Sequence, residues 1–331
     1  MPGWVENTVC VAEGAVARLA LGSTGSLFAG DSKGSMRSMM RLRITRVLFA
    51  SVVVLASLGA LGVSSAMAEP KGEYSVFKEC PIHTPHISGC LVSRVEKGAI
   101  KIGKQEVPIV KTQTLQGGWI NEGVGKEGFT IEKFVGAAGG NTFSKTPQKV
   151  PGGLAGLVEC DKITGSGFWE VIERGSCEFF FENSVTGVNA TTELSAPASS
   201  IGLNQTFLLL EVGTGLSLPV KVKLENPLLG EECYIGPITL NLSTGKSGAL
   251  TGRFGKRHDK AEGGILEIKE NKLVDEGFSA PKATGCGEFF SFIIDPIINS
   301  KIGLPAEKGD TASLEGTVEE ANSGAVEESE E

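Results

Sequence analysis

Histidine is scarce in this chain, with three residues among 331, and the deficit removes most ways of building a buried general base. Two of the three, His83 and His86, share one short loop, and His258 sits in Lys256-Arg257-His258-Asp259-Lys260, a run that reads as a solvated turn. The serine-nucleophile elbow is missing, because Gly165-Ser166-Gly167 lacks the Gly-x-Ser-x-Gly spacing. A phosphate loop is missing too: ahead of Gly245-Lys246-Ser247 the motif needs a glycine at the position held by Leu240. That stretch reads instead as a hairpin turn after a strand from Ile238 to Leu242. No basic patch with interleaved aromatics occurs, and the formal net charge is -8, which repels a phosphate backbone and excludes nucleic acid as a partner. Nothing calls for a cofactor, and no catalytic residue can be named.

What the sequence does carry begins with an export signal displaced from the N-terminus. Arg37, Arg41, Arg43 and Arg46 precede an uncharged run from Val47 to Ala68, with its apolar centre at Val47 to Val63 and Ala66-Met67-Ala68 at its end. A basic region, an apolar region and a small-residue site in that order form a secretory signal peptide. Cleavage between Ala68 and Glu69 is expected, which yields a secreted or cell-envelope protein. The run approaches the roughly 20 apolar residues that span a bilayer, so a retained anchor is the alternative, and the membrane enters only in that way. No cysteine near the site offers a lipid attachment point, and no paired arginines direct the chain to the twin-arginine route. Because Met36, Met39 and Met40 stand just ahead of the arginines, residues 1–35 read as a doubtful or disordered leader and 36–68 as the signal peptide. Residues 1–68 hold six basic and three acidic side chains, so subtracting their +3 from -8 leaves about -11 on the exported part.

Six cysteines follow the signal: Cys80, Cys90, Cys160, Cys177, Cys233 and Cys286. In an exported chain they read as a disulfide framework whose connectivity spacing alone does not fix. A faint duplication offers a pairing. Pro151 leads through Leu154 and Gly156 to Cys160, and Cys177 opens Glu178-Phe179-Phe180-Phe181; Pro227 leads through Leu229-Gly230 to Cys233, and Cys286 opens Gly287-Glu288-Phe289-Phe290. Equivalent units imply pairing of neighbours: Cys80 with Cys90, Cys160 with Cys177, Cys233 with Cys286. The loop from Cys80 through His83 and His86 to Cys90 also offers two thiolates and two imidazoles, a tetrahedral zinc set. An oxidising compartment favours a disulfide there, with both histidines exposed beside Pro81 and Pro85, so no metal is expected.

Strand signals dominate. Leu216, Leu218, Val220, Val222 and Leu224 alternate with Ser217, Pro219, Lys221 and Lys223, which puts the apolar set on one face of a strand. Pro219 cannot donate to a ladder, so it belongs at an edge or a bulge. Further strands are expected at 100–102, 107–110, 129–134, 167–172, 178–182, 207–212, 238–242, 265–268 and 312–318. Short strands separated by glycine-rich breaks indicate an all-β, antiparallel sandwich or barrel-like body, here with two related halves at 69–190 and 191–318. One short helix is expected near 296–302, with Asp295 as cap, Pro296 in the first turn and Gly303 with Pro305 as stop. Residues 136–157 read as a long surface loop. The acidic stretch 319–331 reads as a disordered tail.

Several phrases carry a family resemblance: Val150-Pro151-Gly152-Gly153-Leu154, Leu218 to Val222 running on through Leu224-Glu225-Asn226-Pro227-Leu228-Leu229-Gly230 to Cys233-Tyr234-Ile235-Gly236, Phe278-Ser279-Ala280-Pro281, Gly285-Cys286-Gly287, Asp295-Pro296 and Gly303-Leu304-Pro305. In these the chain, from about Tyr74 to Val318, resembles a family of exported actinobacterial proteins with six cysteines. The resemblance implies export and a shared β-rich fold, and it carries no catalytic residue.

The preferred reading is a non-enzymatic structural or binding protein of the envelope or extracellular space, a disulfide-bonded β scaffold with an unidentified ligand there. Two alternatives stand beside it. A secreted carbohydrate-active hydrolase would use paired glutamates, which are plentiful but unplaced. A β-barrel pore would use strands such as Leu216 to Leu224, about the length that crosses a bilayer at a tilt. The sequons at Asn189, Asn204 and Asn241 matter only in a eukaryotic route, and Trp119 and Trp169 read as core or rim residues.

Overall fold

Alternation of apolar and polar residues builds the wall of the fold. The computed structural model describes residues 68–125, 128–153, 167, 171 and 187–330, all within the unit Met67–Glu331. These form strands β1 (Gly89–Ile102), β2 (Gln105–Ile109), β3 (Gln113–Val124), β4 (Thr130–Gly136) and β5 (Gln148–Lys149). Next come β6 (Asn189–Leu194), β7 (Gly202–Leu203), β8 (Leu216–Glu225), β9 (Tyr234–Leu242) and a small hairpin of β10 (Lys246–Ser247) with β11 (Leu250–Thr251). The remaining strands are β12 (Lys256–Lys260), β13 (Ile265–Ala280), β14 (Ala283–Thr284) and β15 (Ala306–Asn322), and the helices are α1 (Gln205–Leu210), α2 (Ser291–Ile302) and α3 (Ser323–Glu328).

Antiparallel pairing runs β13-β15-β1-β3-β4-β7-β8-β9. Just past β9, Ser243 exchanges both backbone hydrogen bonds with Val274 of β13, each 2.9 Å, so the path returns to its start. The expected antiparallel β body is thus a closed, eight-stranded barrel. On β8 the five apolar residues are buried and the alternate ones partly exposed, as the sequence dictates. They join Leu91, Leu115, Phe134, Leu240, Leu242 and Leu273 in one interior core. On β9, Ile235 and Ile238 both face inward although three residues apart, because the register slips at Gly236-Pro237. Gly236 has φ +145°, and a Cβ there would lie 2.7 Å from the Lys221 Cβ.

Pro219 is neither on an edge strand nor at the bulge. Its carbonyl accepts from the Ser195 N–H, so its donorless nitrogen faces the gap where the neighbour of β8 changes from β7 to β6. A strand interior tolerates proline where no carbonyl waits for its N–H. At the barrel waist Gly316 meets two irregularities at once: the register slips between Val95 and Lys97 on β1 and between Ile268 and Asn271 on β13. A Cβ on Gly316 would lie 1.8 Å from the Arg94 carbonyl oxygen. We expect Gly316→Ala to destabilise the fold by about 1–3 kcal/mol through overpacking; denaturant titration checks it, and a change below about 0.5 kcal/mol would contradict this close approach.

The structure corrects several sequence expectations. The acidic tail is ordered: β15 continues to Asn322 and α3 follows, with Ala321 and Val326 buried. These two pack on the outer face of β1 against Phe77, Val92, Ile265 and the Cys80–Cys90 pair, a second small core. The charge that suggested disorder is absorbed by partners, since Glu319 bonds Arg94 and sits 2.9 Å from Lys260. Residues 207–212 are mostly helical rather than extended, because the Asn204 side chain accepts from the Phe207 N–H at 2.9 Å and caps α1. Helix α2 begins at Ser291, five residues before Pro296, and Asp295 does not cap it. Gly303 ends it in the left-handed region as expected, φ +81°. His258 lies on the exposed strand β12, not in a turn. In the stretch expected to be a surface loop, Thr142, Gln148 and Val150 are buried. The boundary drawn at 190/191 cuts β6, and strands from both sides pair in the one sheet: β1 with β15 and β4 with β7. The strands expected at 167–172 and 178–182 lie outside the described residues apart from Gly167 and Val171, as do Cys160, Cys177 and Trp169.

Candidate functional site

Two expected disulfides are formed. Cys80 pairs with Cys90 across ten residues and Cys233 with Cys286 across 53. The first bond consumes both thiols of the suggested zinc set, so that four-ligand site is not assembled. His83 turns its Nε2 toward Glu330 at 3.9 Å, while His86, at φ +67°, is exposed. Among the described residues no group of three or more His, Cys, Asp or Glu could hold a metal ion. Ala68 and Glu69, flanking the expected cleavage point, are both exposed. No helix among the described residues is long and apolar enough to cross a membrane, and the run Val47–Met67 lies outside them.

The site the structure offers lies inside the barrel. At one end a cavity of about 340 Å³ opens beneath α1. Its walls are largely aliphatic, with Leu91, Leu115, Leu203, Leu216, Ile268 and Leu273 projecting inward. Elsewhere the interior is nearly filled, with voids of about 40 and 30 Å³. The helix α1 forms the roof with Gln205, Thr206 and Leu208, and Leu209, 58% exposed, marks the rim.

Helix α1 is pinned over this mouth from several sides. The Gln205 N–H donates to Glu132 Oε2 at 2.8 Å, Thr244 Oγ1 donates to the Leu208 carbonyl at 2.6 Å, and the Phe254 N–H donates to Glu211 Oε1 at 2.7 Å. Phe207 stacks edge-on with Phe129, ring centroids 5.3 Å apart, which ties the helix to the approach to β4.

Three charged residues line the cavity: Glu132, Arg257 and Glu320. Glu320 is held between Leu91 of β1 and Leu266 of β13 in the strand register, both of them wall residues. It borders the cavity and so keeps some accessible surface, yet protein encloses its carboxyl. Desolvation, with the nearby Glu132 charge adding to it, pushes its pKa up to about 7. Burial also raises Glu132, against the lowering effect of the Gln205 N–H. Gln205 Nε2 is shielded and without a hydrogen-bond partner, and Asn271 Nδ2 donates to the Phe254 carbonyl at 2.8 Å. Arg257 is exposed and its Nε donates to Asp259 Oδ1 at 3.1 Å.

Neither Glu132 nor Glu320 was singled out from sequence, although a signal existed. Glu320 falls in the inward phase that includes Leu314 and Val318, and Glu132 in the phase of buried Phe134. A glutamate on the apolar phase of a strand marks a polar group inside a barrel. Fold and site together define a class: a disulfide-braced antiparallel β-barrel with a carboxyl-bearing, largely aliphatic internal cavity. No family model, no curated protein and no solved structure matches this chain.

Proposed function

We propose that this protein is an exported binding protein that takes one small, mainly apolar molecule into the cavity under α1. The observation that carries the reading is the cavity itself. Eight-stranded barrels are just wide enough to be filled by side chains or to hold one small ligand. This one is nearly filled except at one end, where about 340 Å³ falls in the range of small-molecule pockets. The two disulfides and the arginine-led apolar run support export, and the exposure of Ala68 and Glu69 leaves the expected cleavage point accessible.

A hydrolytic reading gains one specific observation, since Glu132 and Glu320 share the cavity and both carboxyls are raised. The lining weighs against it: a polysaccharide needs stacking aromatics, and Phe254 is the one aromatic among the described lining residues, where leucines and isoleucines predominate. A pore is disfavoured by the phase of the strands. On β8 the leucines and valines point into the barrel and the lysines outward, the reverse of a barrel that meets lipid outside and water inside.

The test is titration of the secreted protein with N-phenyl-1-naphthylamine, a fluorophore that brightens in apolar surroundings. One saturable site is expected in the wild type and none in Thr130→Trp, which fills the mouth with an indole. Unsaturable binding, or equal binding by a folded Thr130→Trp protein, would overturn the cavity reading. Turnover of a cell-wall polysaccharide that Glu320→Gln abolishes would favour the hydrolase.

A further inference from the structure

Resting on that cavity reading, we infer that the cavity selects an apolar amine, with its ammonium group against Glu320 and Glu132 and its hydrocarbon body along the leucine walls.

Charge in the cavity is unevenly balanced. Of the three charged lining residues, Arg257 is exposed at the rim and paired with Asp259, so its charge is already answered. Glu132 is partly answered, because one oxygen accepts the Gln205 N–H. Among the described residues nothing answers Glu320. Burial and its fellow carboxylate both act to keep it neutral, and no hydrogen bond or cation of those residues offsets them. A buried carboxyl without a partner costs free energy that a matching cation recovers, because charge-assisted hydrogen bonds strengthen in a water-poor site.

Ligand classes separate on this geometry. A fatty carboxylate would bring a third negative charge beside two carboxyls. A long-chain alcohol gains one neutral hydrogen bond and leaves the carboxylate uncompensated. An alkylammonium gives up its hydration but neutralises Glu320, and its tail lies along largely aliphatic walls. The orphan Gln205 Nε2 lies on the same helix turn that Glu132 holds, which marks the α1 end of the cavity as the polar end. A cavity of 340 Å³ is about twice the size of one that accepts benzene, which leaves room for on the order of a dozen heavy atoms.

Competition against the fluorophore by decylamine, decanol and decanoic acid, at pH 5 and pH 8, tests this. Decylamine should bind at pH 8 at least about tenfold more tightly than decanol, the gain of one charge-assisted over one neutral contact. Its affinity should fall at pH 5, where Glu320 is protonated and Glu132 moves toward neutrality while Arg257 keeps its charge. Glu320→Gln should cost decylamine about tenfold or more and leave decanol unchanged, and that variant remains testable because it removes a buried charge rather than a packed group. Equal binding of decylamine and decanol, or an unchanged decylamine affinity in Glu320→Gln, overturns the amine while the cavity reading stands. Failure of all three compounds and of the fluorophore in the wild type sinks the cavity reading itself.

Discussion

Replacing both Cys233 and Cys286 by alanine lowers the free energy of unfolding by about 4 kcal/mol, and replacing Cys80 and Cys90 lowers it by about 3 kcal/mol. The order follows from chain entropy. The first bond closes 53 residues and the second ten, so the first removes more freedom from the unfolded chain. The native surroundings point the same way. Cys233 and Cys286 are fully buried, and the bond staples β9 to the β14 edge, where Ala283 pairs Ile235 and Thr284 pairs Tyr234. Asp295 accepts from the Cys286 N–H at 2.8 Å and the Gly287 N–H donates to the Leu229 carbonyl at 2.7 Å, so the crosslink anchors the start of α2 to the barrel wall. Guanidinium denaturation of the two double variants, with the other bonds oxidised, measures the effect. Equal losses, or a larger loss for the Cys80–Cys90 pair, would show that native packing and not loop closure sets the contribution.

The second large effect is a dependence on pH. In the unfolded chain Glu320 titrates near the ordinary glutamate value of 4.5, and in the fold burial and Glu132 push it up to about 7. The folded protein therefore binds more protons than the unfolded one between those values. Stability falls as pH rises through that window, by about 3 kcal/mol from this group, and is flat again above it. Glu132, Asp275 and Asp310, all raised chiefly by burial, act with the same sign. Glu267 and Glu319 act oppositely: burial raises them, but Lys260 with Lys269, and Arg94 with Lys260, outweigh it and hold both below the ordinary value. Their contribution is lost only as pH falls below about 4.5. Glu320→Gln should therefore leave stability at pH 5 nearly unchanged and raise it at pH 8, the gap between variant and wild type widening by about 3 kcal/mol. Urea titrations of both proteins at the two pH values check this, and a gap that stays constant would mean the carboxyl is solvated.

Much of the barrel was legible because period-two patterns are local. The alternation from Leu216 to Leu224 assigns β8 and its buried face without reference to any other strand, and the pairing of Cys233 with Cys286 followed from the phrases around them. Where the reading went astray, a distant partner decided the outcome. The acidic run after Val318 looked unfoldable alone, but Arg94, more than two hundred residues earlier, and Lys260 meet Glu319. Phe207 to Leu210 is apolar enough for a strand, and a single capping asparagine together with the barrel mouth beneath it makes it a helix. Pro219 was expected at an edge or a bulge, and it stands in a strand interior because two short strands meet opposite it.

By itself the sequence determined the disulfide chemistry and the inward faces of the strands, since each depends on residues close together along the chain. Only the tertiary structure decided that those faces close into a barrel, that the closure leaves a cavity at one end, and that Glu132 and Glu320 share it. The reason is physical: a carboxyl acquires a perturbed charge state from what surrounds it in space, and strands β4 and β15, nearly two hundred residues apart, supply that surrounding only once the ring of hydrogen bonds is complete.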